Sequence, residues 1–380
     1  MTQLRLVFFP FDFSDPNNYL SRMRDAIMLA YPDIEFVDLP KSLESVRKID
    51  CVWVNWYENL FGKNRLSYLY HALRRLLILF TLKCNGAKII YTVHNRQPHE
   101  MRYRYLNRMF FKCAFLLADN IVVLSDVTNE VIRSVSKKAS DRKVIKIPHP
   151  VYITVPKIYT ERSGAFSVLF FGMIRPYKNI EMILAVAKKH PGINFVIAGA
   201  AIDQNYAESI YKAADNLSNV RLILHRLTDE EINELMDEAS VLALPYDLKS
   251  SLNSGAAMFA LSKGLNVVIP NIGTILELSN RDKVYGYDYN NDSEHQSKFE
   301  NALMKAQEDF MSDYPQFVRN SEILREEVLS SNSTETLSKI IMKLNLRPKR
   351  GGGVNACELA VYERIIMPFR HTDFEEYARA

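Results

Sequence analysis

The feature that most constrains this chain is an alternation that occurs twice. Short runs rich in β-branched and aromatic residues at 4–10, 34–39, 51–56, 88–94, 120–125 and 144–148 alternate with longer segments, of which 66–82 and 101–118 read as helices. A break at 151–164 follows, with Pro156, a polar string from Thr160 to Gly164 and no periodic face; it reads as a linker. The rhythm then restarts with 167–172, 194–199, 220–225, 240–245 and 266–270, and two helical patterns close it at 293–310 and 334–344. Apolar strands separated by helices need both sheet faces covered, so the pattern predicts parallel sheets inside helical layers. The expected fold class is α/β, with two doubly wound Rossmann-like domains facing a cleft. The expected boundaries are 1–156, 157–345 and a linker with a short tail at 346–380, where three glycines follow Arg350. Ligands in such folds bind beyond the carboxyl ends of the strands.

Composition removes several classes. No apolar run exceeds six residues, as at 113–118, whereas a bilayer span needs about 20. The first ten residues read as a buried strand without a basic region and cleavage site, so export by that route is not expected. That counts against the other two-domain possibility, a periplasmic-type binding protein. Cys51, Cys84, Cys113 and Cys357 lack metal or redox spacing and read as reduced, mostly buried thiols of a cytosolic protein. The net charge of +4 is unevenly spread. Between Lys63 and Lys112 stand eleven Lys/Arg and one acid, Glu100, so this block carries +10 and the remainder −6. Such a block points to an anionic partner.

Three constellations can carry chemistry. Around Gly172, a strand end leads through Arg175 and Lys178 to a helix near Asn179. Glycine admits a ligand to the backbone, and two cations three residues apart can clamp a diphosphate. Around Asn253, a polar loop enters a helix whose first turn holds Ser254, Gly255, Ala256 and Ala257; unpaired amides and small side chains there suit an anion. At Tyr91–Glu100 a strand ends in a loop with His94, Arg96, His99 and Glu100, where a histidine can position or deprotonate a hydroxyl.

Taken in order, the Thr92-Val-His-Asn95 and Pro98-His-Glu100 stretch, Ile147-Pro-His-Pro150, Gly172 to Lys178, Ile197-Ala-Gly199 and Asn253 to Gly264 resemble GT-B glycosyltransferases, in particular the family 4 group and bacterial polysaccharide-assembling relatives. The resemblance implies a nucleotide-sugar donor held by the second half and an acceptor held by the first. It gives Arg175, Lys178 and the amides from Ser254 onward to the leaving diphosphate, with Gly172, Asn253, Gly255 and Ala256 lining that site. It puts His94 in the sugar pocket and His149 at the cleft edge. Many family 4 enzymes have two glutamates where this chain has Ser251 and Phe259. In this it resembles β-mannosyltransferases acting on lipid-linked sugars, with an inverting mechanism and His94 or Glu100 as base. No Asp-x-Asp motif is present, and no metal or other cofactor is expected. Mannose from GDP-mannose is the expected donor.

The basic block gives the acceptor side a location. Arg74, Arg75 and Lys83 flank the mostly apolar stretch Leu76–Leu82, which only Thr81 interrupts, and Arg102, Arg104, Arg108 and Lys112 are interleaved with Tyr103, Tyr105, Met109 and Phe110. Cations beside aromatic and aliphatic side chains suit an anionic membrane surface. The expectation is a peripheral protein at the inner face of the cell membrane, taking a lipid-linked saccharide in polysaccharide assembly. A nucleotide-sugar epimerase of the same layout would leave the basic block without a purpose. A nucleic-acid binder would use that block, but no nucleic-acid motif accompanies it, so no nucleic-acid partner is expected.

Overall fold

The computed structural model describes residues 3–10, 18–39, 46–60, 64–95, 103–136, 143–152, 155–159 and 164–349. The chain divides into two units, Met1–Pro148 with Thr334–Ala380, and His149–Ser333. In the first unit the described elements are β1 (Leu4–Phe9), α1 (Asn18–Ala30), β2 (Ile34–Phe36), β3 (Cys51–Asn55) and α2 (Arg65–Cys84). They continue with β4 (Lys88–Val93), α3 (Arg104–Leu117), β5 (Asn120–Val123), α4 (Thr128–Val135) and β6 (Val144–Lys146). All pairings are parallel, in the order β2-β1-β3-β4-β5-β6. Every residue of β3 is buried, as expected of a strand covered on both faces. The sheet grows in opposite directions from β1 and β3, so its topological switch point lies between them.

The second unit holds β7 (Ser167–Phe171), α5 (Ile180–Lys189), β8 (Asn194–Ala198), α6 (Gln204–Ala214), β9 (Val220–Ile223), α7 (Asp229–Glu238) and β10 (Val241–Ala243). It is completed by α8 (Gly255–Lys263), β11 (Asn266–Pro270), α9 (Gly273–Leu276), β12 (Tyr285–Tyr287), α10 (Asp292–Ser312) and α11 (Tyr314–Ser331). Its parallel order is β9-β8-β7-β10-β11-β12, which puts the switch point between β7 and β10. Thr228 caps α7 by accepting from Glu231 N while the Glu231 carboxylate accepts from Thr228 N, the reciprocal pair that its sequence predicts.

Three features differ from the sequence expectation. The last helix, α12 (Thr334–Ile341), packs on α1 and belongs to the first unit, not the second. Tyr31 Oη donates to Met342 O at 3.3 Å, and Lys349 N donates to Asp50 Oδ1 at 2.9 Å, tying residues 342–349 to that sheet. Amphipathic periodicity says that a helix has a buried face but not which sheet it meets. The described part of the 151–164 break is no free linker: Lys157 N donates to Lys263 O at 2.6 Å and Tyr159 Oη to Gly264 O at 2.7 Å, strapping it to the second unit. Strand β12 and helix α11 have no counterpart in the sequence reading; β12 has three residues, and α11 opens on Pro315 behind an Asp313 cap.

Candidate functional site

The two loops at the second unit's switch point are built as one piece. After β7, Gly172 has φ of 122° and the 3-10 turn Pro176–Lys178 leads to Asn179, at φ 53°. Asn179 Nδ2 donates to Pro245 O at 2.8 Å and Asp247 N to Tyr177 O at 3.1 Å, so this loop is tied to the one after β10. Gly199, at the end of β8, has φ of 137°, and a Cβ there would stand 2.2 Å from Gly172 O. The Ile-Ala-Gly motif is thus a packing requirement for the first loop, because only glycine lets the two backbones meet.

Lys178 is the unusual group. The residue is half-buried, and its Nζ lies 5.8 Å from the Phe170 ring centroid and 5.4 Å from that of Tyr246, against Gly172. Among the described residues no carboxylate pairs with it. Desolvation, and secondarily the Arg175 guanidinium, lower its pKa to about 7. Held among rings without an anion, the lysine has its charged form disfavoured. Arg175 is half-buried beside it, its Nε 2.9 Å from Met173 Sδ.

Helix α8 offers the complementary surface. Ser254 caps it by accepting from Ala257 N at 3.0 Å, while Ser254 N donates to Thr274 Oγ1 at 2.9 Å. The earlier amides of the first turn carry the partial positive charge of a helix start, worth about 0.3–1 kcal/mol to an anion and up to ~2 when partly buried. The Asn253 Oδ1 and Nδ2 atoms are buried without hydrogen-bond partners among the described residues. A Cβ on Gly255 would lie 3.2 Å from Tyr152 Oη and 3.7 Å from His149 Nε2. His149, expected at a cleft edge, thus stands beside this helix start. Burial lowers its pKa to about 4, so it is neutral, its Nδ1–H donating to Pro150 O at 3.2 Å and its Nε2 accepting from Tyr152 Oη at 3.1 Å. Phe259 is buried with its ring against those of Tyr152 and Phe171, so a carboxylate at this position would be largely desolvated.

In the first unit, His94 follows β4 and is 6% exposed. Its ring stacks on Trp56 at 4.1 Å and 20°, and Tyr19 meets it edge-on at 4.9 Å. Asn55 Nδ2 donates to Phe9 O, which turns Oδ1 toward His94 Nε2 at 3.1 Å and makes that nitrogen the donor. Trp56 has φ of 47°, a conformation that costs a bulky residue about 1–3 kcal/mol and clusters at functional sites. Two residues on, Glu58 is fully buried; Tyr91 Oη donates to its Oε2 at 2.8 Å and its Oε1 has no partner among the described residues. Burial raises its pKa to about 7. Glu100 and Arg102 lie outside the described residues, as does the side chain of Arg104.

The basic helices α2 and α3 pack on each other and leave an apolar stripe outward. Leu66 is 78% exposed, Leu73 and Phe80 51% each, and Tyr105 74%, with Met109 and Leu116 beyond it. Arg108 and Lys112 are exposed on the same pair of helices and Arg74 is half-buried. Arg75 departs from the membrane-facing expectation: its guanidinium donates to Tyr57 O and sits 5.1 Å from the Tyr57 ring centroid. No described helix is long and apolar enough to cross a membrane, and no group of three metal-ligating side chains occurs among the described residues.

Comparison with known proteins agrees with this fold. HepE of Anabaena, in complex with UDP and glucose, superposes over 90% of this chain and 99% of its own, with a TM-score of 0.64 at 14% identity. Sucrose-phosphate synthase of Thermosynechococcus elongatus gives 0.66 at 15% identity, over 90% of this chain and 98% of that one. The fold is GT-B. The sequence model described as Glycosyl transferases group 1 matches residues 154–309, most of the second GT-B unit. A GDP-mannose:glycolipid 4-beta-D-mannosyltransferase of Xanthomonas campestris pv. campestris is 23% identical over 260 residues, covering 68% of this chain and 70% of that protein. Fold and family match together support glycosyl transfer. Within the GT-B frame the structure joins Gly172, Arg175 and Lys178 in one loop, and Gly255 and His149 in another contact. It adds Tyr246, Tyr152, Asn179 and Thr274 in the second unit, and Tyr19, Asn55, Trp56 and Glu58 in the first. Of these only Asn179, at the start of the helix after Lys178, was singled out by the sequence reading.

Proposed function

We propose that this chain transfers a hexose, mannose from GDP-mannose, to a lipid-linked saccharide in bacterial polysaccharide assembly, working at the inner membrane face as a peripheral protein. The observation that carries this reading is Lys178: a desolvated ammonium without an anion, at the switch point of a sheet that otherwise provides small residues and a helix start. The donor diphosphate supplies the missing charge. As the bond from the anomeric carbon to the diphosphate oxygen breaks, negative charge grows on the leaving group, and Lys178, Arg175 and the first amides of α8 stabilise it in place of a metal ion. The acceptor hydroxyl attacks the anomeric carbon and gives its proton to a base, for which His94 and Glu100 are the candidates, with inversion of configuration. Support for mannose is the activity of the Xanthomonas relative. Support for the lipid-linked acceptor is that same activity and the apolar-basic face of α2 and α3.

The test is thermal stabilisation by a panel of nucleotide sugars. At a ligand concentration one hundred times Kd the gain is about 2.7 kcal/mol. GDP-mannose should raise the melting temperature more than UDP-glucose; a panel in which no nucleotide sugar raises it contradicts the donor site.

A further inference from the structure

Tyr246, which flanks Lys178, stands in the stretch 245–251 between β10 and α8, where the chain forms neither helix nor strand. The bonds made within this stretch close one turn: Lys249 N donates to Asp247 Oδ1 and Ser251 N to Asp247 O, both at 2.9 Å. Asn179 Nδ2 to Pro245 O and Asp247 N to Tyr177 O run to the loop that carries Lys178, so they join the two loops to each other. A further attachment comes from the edge of the sheet.

Tyr289, two residues beyond β12, sets its hydroxyl against the same turn. Its Oη accepts from Leu248 N at 2.7 Å and shares its proton between Tyr246 O and Asp247 Oδ1, each at 3.3 Å. One oxygen thus meets three consecutive residues. The first has its ring over Lys178, and the second is bonded to the residue before Lys178. The Tyr289 ring is seated in turn. It stacks on His295 at 3.7 Å and 4°, and His295, 2% exposed in the first turn of α10, is hydrogen-bonded through Nε2 to Tyr287 Oη at 3.1 Å. Desolvation lowers the His295 pKa to about 4 against the opposing pull of Asp247 and Asp292, so the stack is uncharged at neutral pH.

We propose that Tyr289 is a positioning residue for donor binding, its hydroxyl holding the loop after β10 so that Tyr246 covers Lys178. This rests on the reading of Lys178 as the diphosphate contact. Without that hydroxyl Leu248 N loses its acceptor and the turn its tie to the sheet edge. Tyr246 then gains freedom, water reaches the ammonium, and the desolvation that disfavours its charge is relieved. A donor meeting the looser site must also order it, which weakens binding. The hydroxyl acts through Tyr246 and Asp247.

Tyr289→Phe tests this, because it keeps the ring on His295 and removes one oxygen. Calorimetric affinity for GDP-mannose should fall about tenfold, the scale of one to two hydrogen bonds. The Lys178 titration is read in the unliganded protein by NMR of lysines carrying ¹³C-methyl groups, the signal being assigned by its loss in Lys178→Met. Its midpoint should move up from about 7 toward the ordinary lysine value in Tyr289→Phe. Tyr285→Phe is the control on β12 itself: its hydroxyl donates to Asp309 Oδ2 at 3.2 Å, away from the loop, and its loss should leave both readouts at wild type. Unchanged affinity or an unchanged Lys178 midpoint in a folded Tyr289→Phe variant overturns the proposal, as do equal shifts in Tyr285→Phe. A wild-type protein that binds no nucleotide sugar overturns the donor reading first, and the proposal with it.

Discussion

With Lys178 at the proposed diphosphate site, donor binding is a proton-linked event. Its pKa in the free protein is lowered to about 7 by desolvation, with the Arg175 charge adding to that. A bound diphosphate favours the ammonium and raises that value. Binding at pH 8 should therefore take up about 0.9 of a proton and at pH 6 only about 0.1, the fractions left deprotonated by a pKa of about 7. The sign of the two pH effects is opposite. Because the folded pKa lies below the unfolded one, the unliganded second unit gains stability as pH rises above about 7. Donor affinity instead falls, by up to about tenfold per pH unit, because free energy must be spent on reprotonation. Calorimetry in two buffers of different ionisation enthalpy counts the protons. A nucleotide sugar is the right ligand, since its diphosphate, esterified at both ends, does not itself titrate near neutrality. Lys178→Met keeps the volume and removes both the charge and the proton. It should abolish the uptake and weaken binding about 10- to 150-fold, the equivalent of ~1.5–3 kcal/mol for one charge-assisted contact. Equal proton uptake at pH 6 and pH 8, or wild-type uptake in Lys178→Met, would refute the reasoning.

Three further outcomes follow from the geometry. Glu58 has a folded pKa raised to about 7, so its contribution to stability is complete below the unfolded carboxylate range and is lost as pH rises through about 7; Glu58→Gln should melt above wild type at pH 8 and converge with it at pH 4, and parallel curves would contradict this. Gly199→Ala forces a Cβ to within 2.2 Å of Gly172 O at φ 137°, and should cost at least ~2 kcal/mol, a fall of roughly 4–8 °C in Tm by differential scanning calorimetry; an unchanged Tm would mean that the loops are not in contact. Vesicles containing phosphatidylglycerol should bind the protein at low salt and release it at high salt, with Arg108→Gln and Lys112→Gln together losing about 30-fold at ~1 kcal/mol per cation; binding indifferent to salt and to these variants would remove the electrostatic role.

Sequence periodicity was sufficient for most of both sheets because the central strands, such as β3, β7, β10 and β11, are nearly continuous apolar runs, the form expected of a doubly covered parallel strand. The 3-residue β12 has no such run, and its central Gly286 breaks the pattern. The allegiance of α12 depended on a surface of α1 that lies over 300 residues away in sequence, so no local signal exists. In the candidate site, Gly172, Arg175 and Lys178 were legible because strand, loop and helix follow each other in the chain. The ring cage around Lys178 was not, since Tyr246 arrives from the loop after another strand. Trp56 and His94 are 38 residues apart, and their stack is visible only once β3 and β4 are paired. Arg75 was misread for a related reason: a cation on an amphipathic helix reads as solvated until the carbonyl that it meets is placed beside it.

The central claim is that sugar moves from a nucleotide donor to a lipid. Its most direct test supplies the intact protein with GDP-mannose labelled in the sugar and a bacterial lipid-linked saccharide extract, and follows label into the organic phase together with release of GDP. Label should enter the glycolipid in proportion to GDP formed, with transfer by Lys178→Met at least about tenfold lower at donor concentrations near the wild-type Kd. No organic-phase label from GDP-mannose or any other nucleotide sugar would contradict the account.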